Sequence, residues 1–256
     1  MKKERIYEIV FLVWICIFIL WEVFVRVFEV PNFLLPGPLE IAGEIGKNYP
    51  RLFFHLWQTL LEVIGGLGLA LAAGIILSVI SVHFTIFEII VFSLIVGLMT
   101  VPKISIAPLL LIVLGFDIWP KIILSAFMGF FPIVINTTKG LKGVDSDVEK
   151  KDWLKVYRAN RREVFFRVRI PNALPDFFAG LETAVPLSVI GAIVGEFTGS
   201  HRGLGYLILQ AQASFNIALM FACIITLSLM GITLFGLVKF AEWLSRVNRV
   251  NGVKIY

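Results

Sequence analysis

The chain has 256 residues, of which 58% are hydrophobic and 16% charged, with a mean hydropathy of +0.90 and a formal charge of +5. Soluble domains carry roughly 25% charged residues, so this composition excludes an ordinary soluble enzyme and reads as a polytopic membrane protein. A basic balance can mark a nucleic-acid binder, but here most of the charges fall in loops between apolar runs, and no nucleic-acid partner is expected.

The apolar runs come near the ~20 residues needed to cross ~30 Å of hydrocarbon, and they recur along the whole length. A single membrane domain, residues 1–256, is expected to use all of it. Behind the basic cap Met1 to Arg5, the run from Ile6 to about Phe28 is too long for a secretory h-region and lacks an A-x-A-like cleavage site, so it reads as a retained first span. Glu22 and Arg26 stand one helical turn apart and predict a local ion pair. From Val30 to about His55 the chain reads as polar and irregular, punctuated by Pro31, Pro36, Pro38 and Pro50, with a short amphipathic helix over Leu39 to Lys47. Span two is expected from about Trp57 to Ile80, and its Gly65, Gly66, Gly68 and Gly74 predict close helix packing.

After a brief turn between His83 and Glu88, the run Ile86 to Leu114 is broken by Pro102, Lys103 and Pro108. It is either one kinked span or two short ones. A turn at Gly115-Phe116-Asp117 opens the next span, about Ile118 to Asn136. The window Lys139 to Pro175 is rich in lysine and arginine and has to lie in water. Span five is expected at Phe177 to Phe197 and span six at Phe215 to Trp243, separated by a loop from Thr198 to Ser214. With one kinked span at Ile86 to Leu114, six spans put both termini and the basic loop on one side with 17 of the 23 Lys and Arg residues, and the positive-inside rule makes that side cytoplasmic.

Within the loop, Asp152 to Arg167 can form a charged helix interleaved with Trp153, Val156, Tyr157, Val164 and Phe165. It reads as an anionic-lipid patch, a solvated connector or a docking element for a soluble partner, and the aromatics amid the charge favour docking. Pro171 and Pro175 are expected to stop that helix and re-aim the chain.

At this window the sequence resembles the permease subunits of binding-protein-dependent ATP-binding-cassette (ABC) importers, whose EAA loop reads Glu-Ala-Ala, three residues, Gly, nine residues, Ile, one residue, Leu-Pro. Laid back from Pro171, Asp152-Trp153-Leu154 stand at Glu-Ala-Ala and Arg158 stands at the Gly, followed by Ala159. The carboxylate is kept; the alanines and the glycine are not. The likeness covers nearly the whole chain. It includes Phe33-Leu34-Leu35-Pro36-Gly37-Pro38, His55-Leu56-Trp57-Gln58-Thr59-Leu60, Val101 to Leu109, Phe131 to Thr138, Val194-Gly195-Glu196 and Gly203-Leu204-Gly205, and it is similar to the nitrate, sulfonate, taurine and thiamin-precursor branch.

The resemblance implies an all-α bundle of the type I importer permease fold, with six transmembrane helices and a cytoplasmic coupling helix, in the inner (plasma) membrane with both termini cytoplasmic. It implies that Asp152, Trp153, Leu154, Arg158, Ala159, Asn160, Arg162 and Pro171 engage a separate ATPase carrying ATP and Mg. It also implies an extracytoplasmic solute-binding protein and a second permease copy, as a homodimer. The cargo would be a small polar solute such as a sulfonate, taurine, nitrate or a vitamin precursor.

No GxxxxGK[ST] loop, HExxH or Ser/His/Asp set occurs, so neither catalysis nor a cofactor or metal bound by this chain is expected. Cys16 and Cys223 lie in apolar runs without metal-ligand spacing. Ionisable residues at membrane depth are the informative ones for a solute path, and Lys103, Glu182 and Glu196 are the candidates. Lys103 is either a cavity cation suited to an anion or a lysine that snorkels or pairs with a carboxylate. Glu196 reads as a pairing or gating residue, and Lys121 and Glu62 as interfacial or packing features. A secondary carrier or channel that works without an ATPase is the alternative reading, but it would have no use for a docking loop.

Overall fold

The computed structural model describes residues 3–146 and 160–252. Asp152, Trp153, Leu154, Arg158 and Ala159 lie outside the described residues. Within them all regular structure is helical: α1 Lys3–Val27, α2 Pro38–His83, α3 Thr85–Thr100, a 3-10 turn Lys103–Ile106, α4 Ala107–Leu114, α5 Trp119–Ser146, a short turn Arg161–Val164, α6 Ile170–Gly199, α7 Leu204–Ala213 and α8 Ile217–Gly252. Among the described residues, four helices are long and apolar enough to cross a membrane: Pro38–His83, Trp119–Val144, Arg162–Gly199 and Ile217–Val247. The pair Thr85–Thr100 and Lys103–Leu114, bent by 89°, makes a fifth if its halves count as one span. The chain groups into two compact units, Met1–Gln58 with Arg202–Ser228 and Thr59–His201 with Leu229–Tyr256.

In the first unit, the expected Glu22–Arg26 pair forms at 2.6 Å. The other Glu22 oxygen accepts the Leu39 backbone N–H at 3.1 Å, satisfying one of the orphan donors at the start of α2. A Cβ on Gly37 would stand 2.8 Å from that carboxylate, so glycine lets the two approach. Residues 30–37 are irregular and Leu39 to Lys47 is helical, both as expected, but residues 48–55, expected to be irregular, are helical too. The amphipathic turns starting at Pro38 run on into the span, interrupted only at Asn48 (φ −108, ψ 15). Pro50 causes the interruption, because it cannot donate to the carbonyl four residues back and its ring clashes there. The Asn48 amide instead donates to the Glu44 carboxylate at 2.8 Å. The expected loop Thr198 to Ser214 likewise contains a helix, α7, entered through Gly203 at φ 108. Asn216 then caps α8 by accepting the Leu219 N–H at 3.0 Å.

The second unit is built on three helices in register. Along α5 and α6 the near approaches are Lys121 with Gly195, Ser125 with Gly191, Pro132 with Gly180, and Gly140 with Ala173. One number rises as the other falls, so the two helices are antiparallel. Along α2 and α5, Gly66 meets Ser125 and Gly74 meets Ile133; both numbers rise, so these helices are parallel. Ala70, Ile133 and Ala184 form the core between the three. The close packing predicted from the span-two glycines holds at Gly65, Gly66 and Gly74 but not at Gly68, which has nothing within 4 Å of a built Cβ.

Parallel packing of α2 and α5 decides how the chain gets from one to the other. It must run back along the bundle once, and α3 with α4 make that return. Val91 and Ile95 pack on Val134 and Phe131 of α5. Farther along, a Cβ on Gly199 at the far end of α6 would touch Leu111 and Phe116. Two short spans, or a loop that dips in and out on one side, would have made α2 and α5 antiparallel. The break lies at Pro102 because the residue before a proline is pushed out of the helical region, and Val101 is extended at φ −70, ψ 131. Pro108 does no such damage, since it sits in the first turn of α4, where no backbone donor is required.

Pro171 and Pro175 do not stop a helix as expected. Arg161–Val164, a π-type turn Phe165–Arg169 and α6 follow one another without a break. Pro171 falls in the first turn of α6, and the wider turn before it carries the Ile170 N–H to the Phe165 carbonyl, shifting the hydrogen-bond ladder by one residue just where proline lacks a donor.

Candidate functional site

Lys103, the first residue of the 3-10 turn, is held at the break between α3 and α4. Its Nζ lies 4.7 Å from the centroid of the Phe131 ring, a cation–π geometry. No carboxylate pairs with it among the described residues. Phe131 itself is 1% exposed. Irregular backbone at membrane depth is tolerated only where it borders protein or water, and Lys103 marks that place in this unit.

Toward the N-terminal end of α5 lies a buried polar group whose members come from three helices far apart in the chain. Glu62 of α2 and Lys121 of α5 are 0% and 4% exposed and approach to 3.8 Å. The Thr59 hydroxyl donates to Glu196 of α6 at 2.6 Å, and both residues are buried. Lys121 packs against the backbone position of Gly195, so three helices meet here through charges. Glu62 and Lys121 are therefore packing residues inside the bundle, the second of the two readings given above. Glu182 has a different setting: it pairs with Lys239 of α8 at 2.5 Å, and Lys239 also reaches Glu242 at 3.5 Å. Glu182 and Glu196 are about 20 Å apart along α6 at 1.5 Å per residue. Lys103, Glu182 and Glu196 are thus not brought together into one site.

The loop expected to dock a partner is anchored at its root by charges on α5. Lys139 pairs with Asp176 of α6 at 3.4 Å, and Lys142 pairs with Glu88 in the first turn of α3. On the returning side, Glu163 accepts the Asn160 N–H at 3.2 Å, Arg162 is exposed, and Phe165 rests on the His83 ring at 5.2 Å between centroids. Ile75, Val79, Thr137, Leu141, Phe165 and Phe177 line an apolar cavity of about 220 Å³ next to this root.

Residues 66–242 match the family described as binding-protein-dependent transport system inner membrane component. The chain belongs to that family. It is 37% identical over 232 residues to the formylaminopyrimidine transport permease protein ThiX of Halalkalibacterium halodurans, covering 90% of this chain and 92% of the relative. It is 30% identical to the riboflavin transport system permease protein RibX of Chloroflexus aurantiacus, over 88% and 84% of the two chains. The putative aliphatic sulfonates transport permease protein SsuC of Bacillus subtilis is 28% identical, over 83% and 77%. The protein is therefore the permease subunit of an ABC importer, a multi-pass inner-membrane component, and the ATPase is a separate subunit.

The sequence reading of this permease missed four ion pairs among the described residues. Glu62 with Lys121, Glu88 with Lys142, Lys139 with Asp176 and Glu182 with Lys239 each join two different helices. A carboxylate or an ammonium inside an apolar run is visible in one dimension, but its partner is not.

Proposed function

We propose that this permease crosses the membrane six times, through α1, α2, the broken pair α3 and α4, α5, α6 and α8, with both termini and the basic loop in the cytoplasm. The parallel packing of α2 and α5 carries this reading, because it requires one return between them. The first span rests on the apolar run in α1, and the orientation rests on the placement of 17 of 23 Lys and Arg residues on the loop side. Two copies form the pore as a homodimer, and the loop from Asp152 to Arg162 docks on an ATPase dimer whose closure drives the loops together. An extracytoplasmic binding protein delivers the solute.

The cargo is a nitrogen heterocycle of the vitamin-precursor kind, a reading supported by the names of the relatives at 37% and 30% identity. A second reading, an anion such as a sulfonate, is favoured by Lys103. The solute retained by the cognate binding protein separates the two.

Co-purification with the ATPase is the first test, and uptake by the permease alone in liposomes would overturn the ABC mechanism for this chain. Reversing the charge at Asp152, or deleting Lys151 to Arg162, is expected to abolish uptake while leaving the amount of protein in the membrane unchanged. Normal uptake after either change refutes the docking role. Along the path itself, Lys103→Met is expected to lower uptake by about tenfold, the worth of one cation interaction of ~1.4 kcal/mol, with Lys103→Arg retaining most of it. An unchanged rate in Lys103→Met would confine Lys103 to packing on Phe131.

A further inference from the structure

The two ion pairs at the root of the loop hold helices of very different character. Lys139 ties α5 to α6, and those two helices are already locked. A Cβ on Gly140 would stand 2.9 Å from the Ala173 Cα and one on Gly180 2.8 Å from the Pro132 carbonyl oxygen, so neither helix slides past the other without backbone collision. Lys142 ties α5 to α3, which is not locked in that way. Of its sixteen residues only Val91 and Ile95 are buried, and Gly97 has nothing within 4 Å of a built Cβ. Its far end terminates in the extended residues Val101 and Pro102 rather than in a packed helix. At its near end a single residue, Phe84, separates it from α2. Helix α3 is thus a rod with a joint at each end, lightly packed between them, with Lys103 beyond the farther joint. Glu88 stands in its first turn, where an acid is favoured by the helix dipole, and the Lys142 ammonium meets it there.

We propose that the Glu88–Lys142 ion pair is the link through which movement of the cytoplasmic loop reaches α3 and, through α3, the break that carries Lys103. Glu88 and Lys142 are positioning residues and touch neither solute nor nucleotide. The proposal rests on the reading of the loop as the ATPase-docking element. A push on the loop moves α5 and α6 as one block, because the glycine seam prevents slippage between them. The same push rocks α3 about its joints only if its first turn is tied to α5. The apolar contacts of Val91 and Ile95 with Phe131 and Val134 lie one to two helical turns farther along and serve as the fulcrum.

The test uses the full importer, permease with ATPase and binding protein, reconstituted in liposomes, with solute uptake and ATP hydrolysis measured on the same preparation. Glu88→Lys and Lys142→Glu each place like charges at the link. Each is expected to lower uptake at least about tenfold while the ATPase stays bound and hydrolysis continues, and the double swap E88K/K142E is expected to bring uptake back to within about twofold of the parent. Glu88→Gln and Lys142→Gln, which add no repulsion, carry the same expectation in milder form should a charge-reversed single variant not accumulate. Wild-type uptake in the single variants overturns the proposal, and so does a double swap no better than the worse single variant. Loss of ATPase binding in the single variants also overturns it, because the pair would then act on docking. Failure of the parent permease to retain any ATPase is a different result: it strikes the docking function of the loop.

Discussion

Gly191→Val is expected to prevent assembly of the bundle. A Cβ at this position would lie 2.7 Å from both the Leu124 carbonyl oxygen and the Ser125 Cα. These are backbone atoms in the second turn of α5, so no side-chain rotation relieves the collision and the helices must separate. Membrane helices associate through close packing rather than through burial from water, so an added gap cannot be compensated by apolar surface elsewhere. Overpacking of a tight site costs about 1–3 kcal/mol, occasionally more. Alanine should fall in that range, and valine, which adds two further methyl groups at the same point, should exceed it. The measurement is the thermal midpoint and monodispersity of the purified permease in detergent, with Gly231→Ala as control. No atom lies within 4 Å of a built Cβ at Gly231, so that variant should match the parent. A Gly191→Val protein that melts with the parent would mean that α5 and α6 are not packed in this register.

The second large effect is expected at Lys121. Lys121→Met removes the buried ammonium that faces Glu62 and leaves the carboxylate, which is 0% exposed, in a site with little water. Breaking one side of a buried ion pair typically costs about 3–5 kcal/mol, whereas replacing both sides with neutral groups of similar volume is often neutral or better. The double variant E62Q/K121M is therefore expected to recover most of the stability lost by K121M. Thermal melts of the parent, the two single variants and the double variant form a cycle that gives the coupling directly. Additive losses would show that Lys121 acts through its contact with Gly195 rather than through its charge.

The membrane class, the approximate positions of the apolar spans and the family were legible in the chain, and for one reason. Hydropathy over ~20 residues and short proline-bearing motifs are local properties, readable without knowing what lies alongside. The Glu22–Arg26 pair and the turn at Gly115 (φ 81) were legible on the same ground. The helix over Leu39 to Lys47 was legible as well, but its continuation through Asn48 and Pro50 to His55 and the existence of α7 were not. Prolines and glycines there read as breakers, yet at Pro38 and Gly203 they mark helix starts. Likewise Pro171, read as a helix stop, is a first-turn proline preceded by a widened turn.

What the sequence alone determined, then, is that this chain is a multi-pass membrane protein, because composition and periodicity settle which segments can lie in lipid, while its short motifs carried the likeness to permeases. Whether Ile86 to Leu114 returns once or twice was open in one dimension, since a proline break is compatible with both. Only the tertiary structure decided it, through the parallel register of α2 and α5 set by glycines that meet Ser125 and Ile133. The same register placed Lys121 against Glu62 and Lys142 against Glu88. Pairings of that kind depend on which helix faces lie opposite each other, and interhelical geometry rather than local sequence determines them.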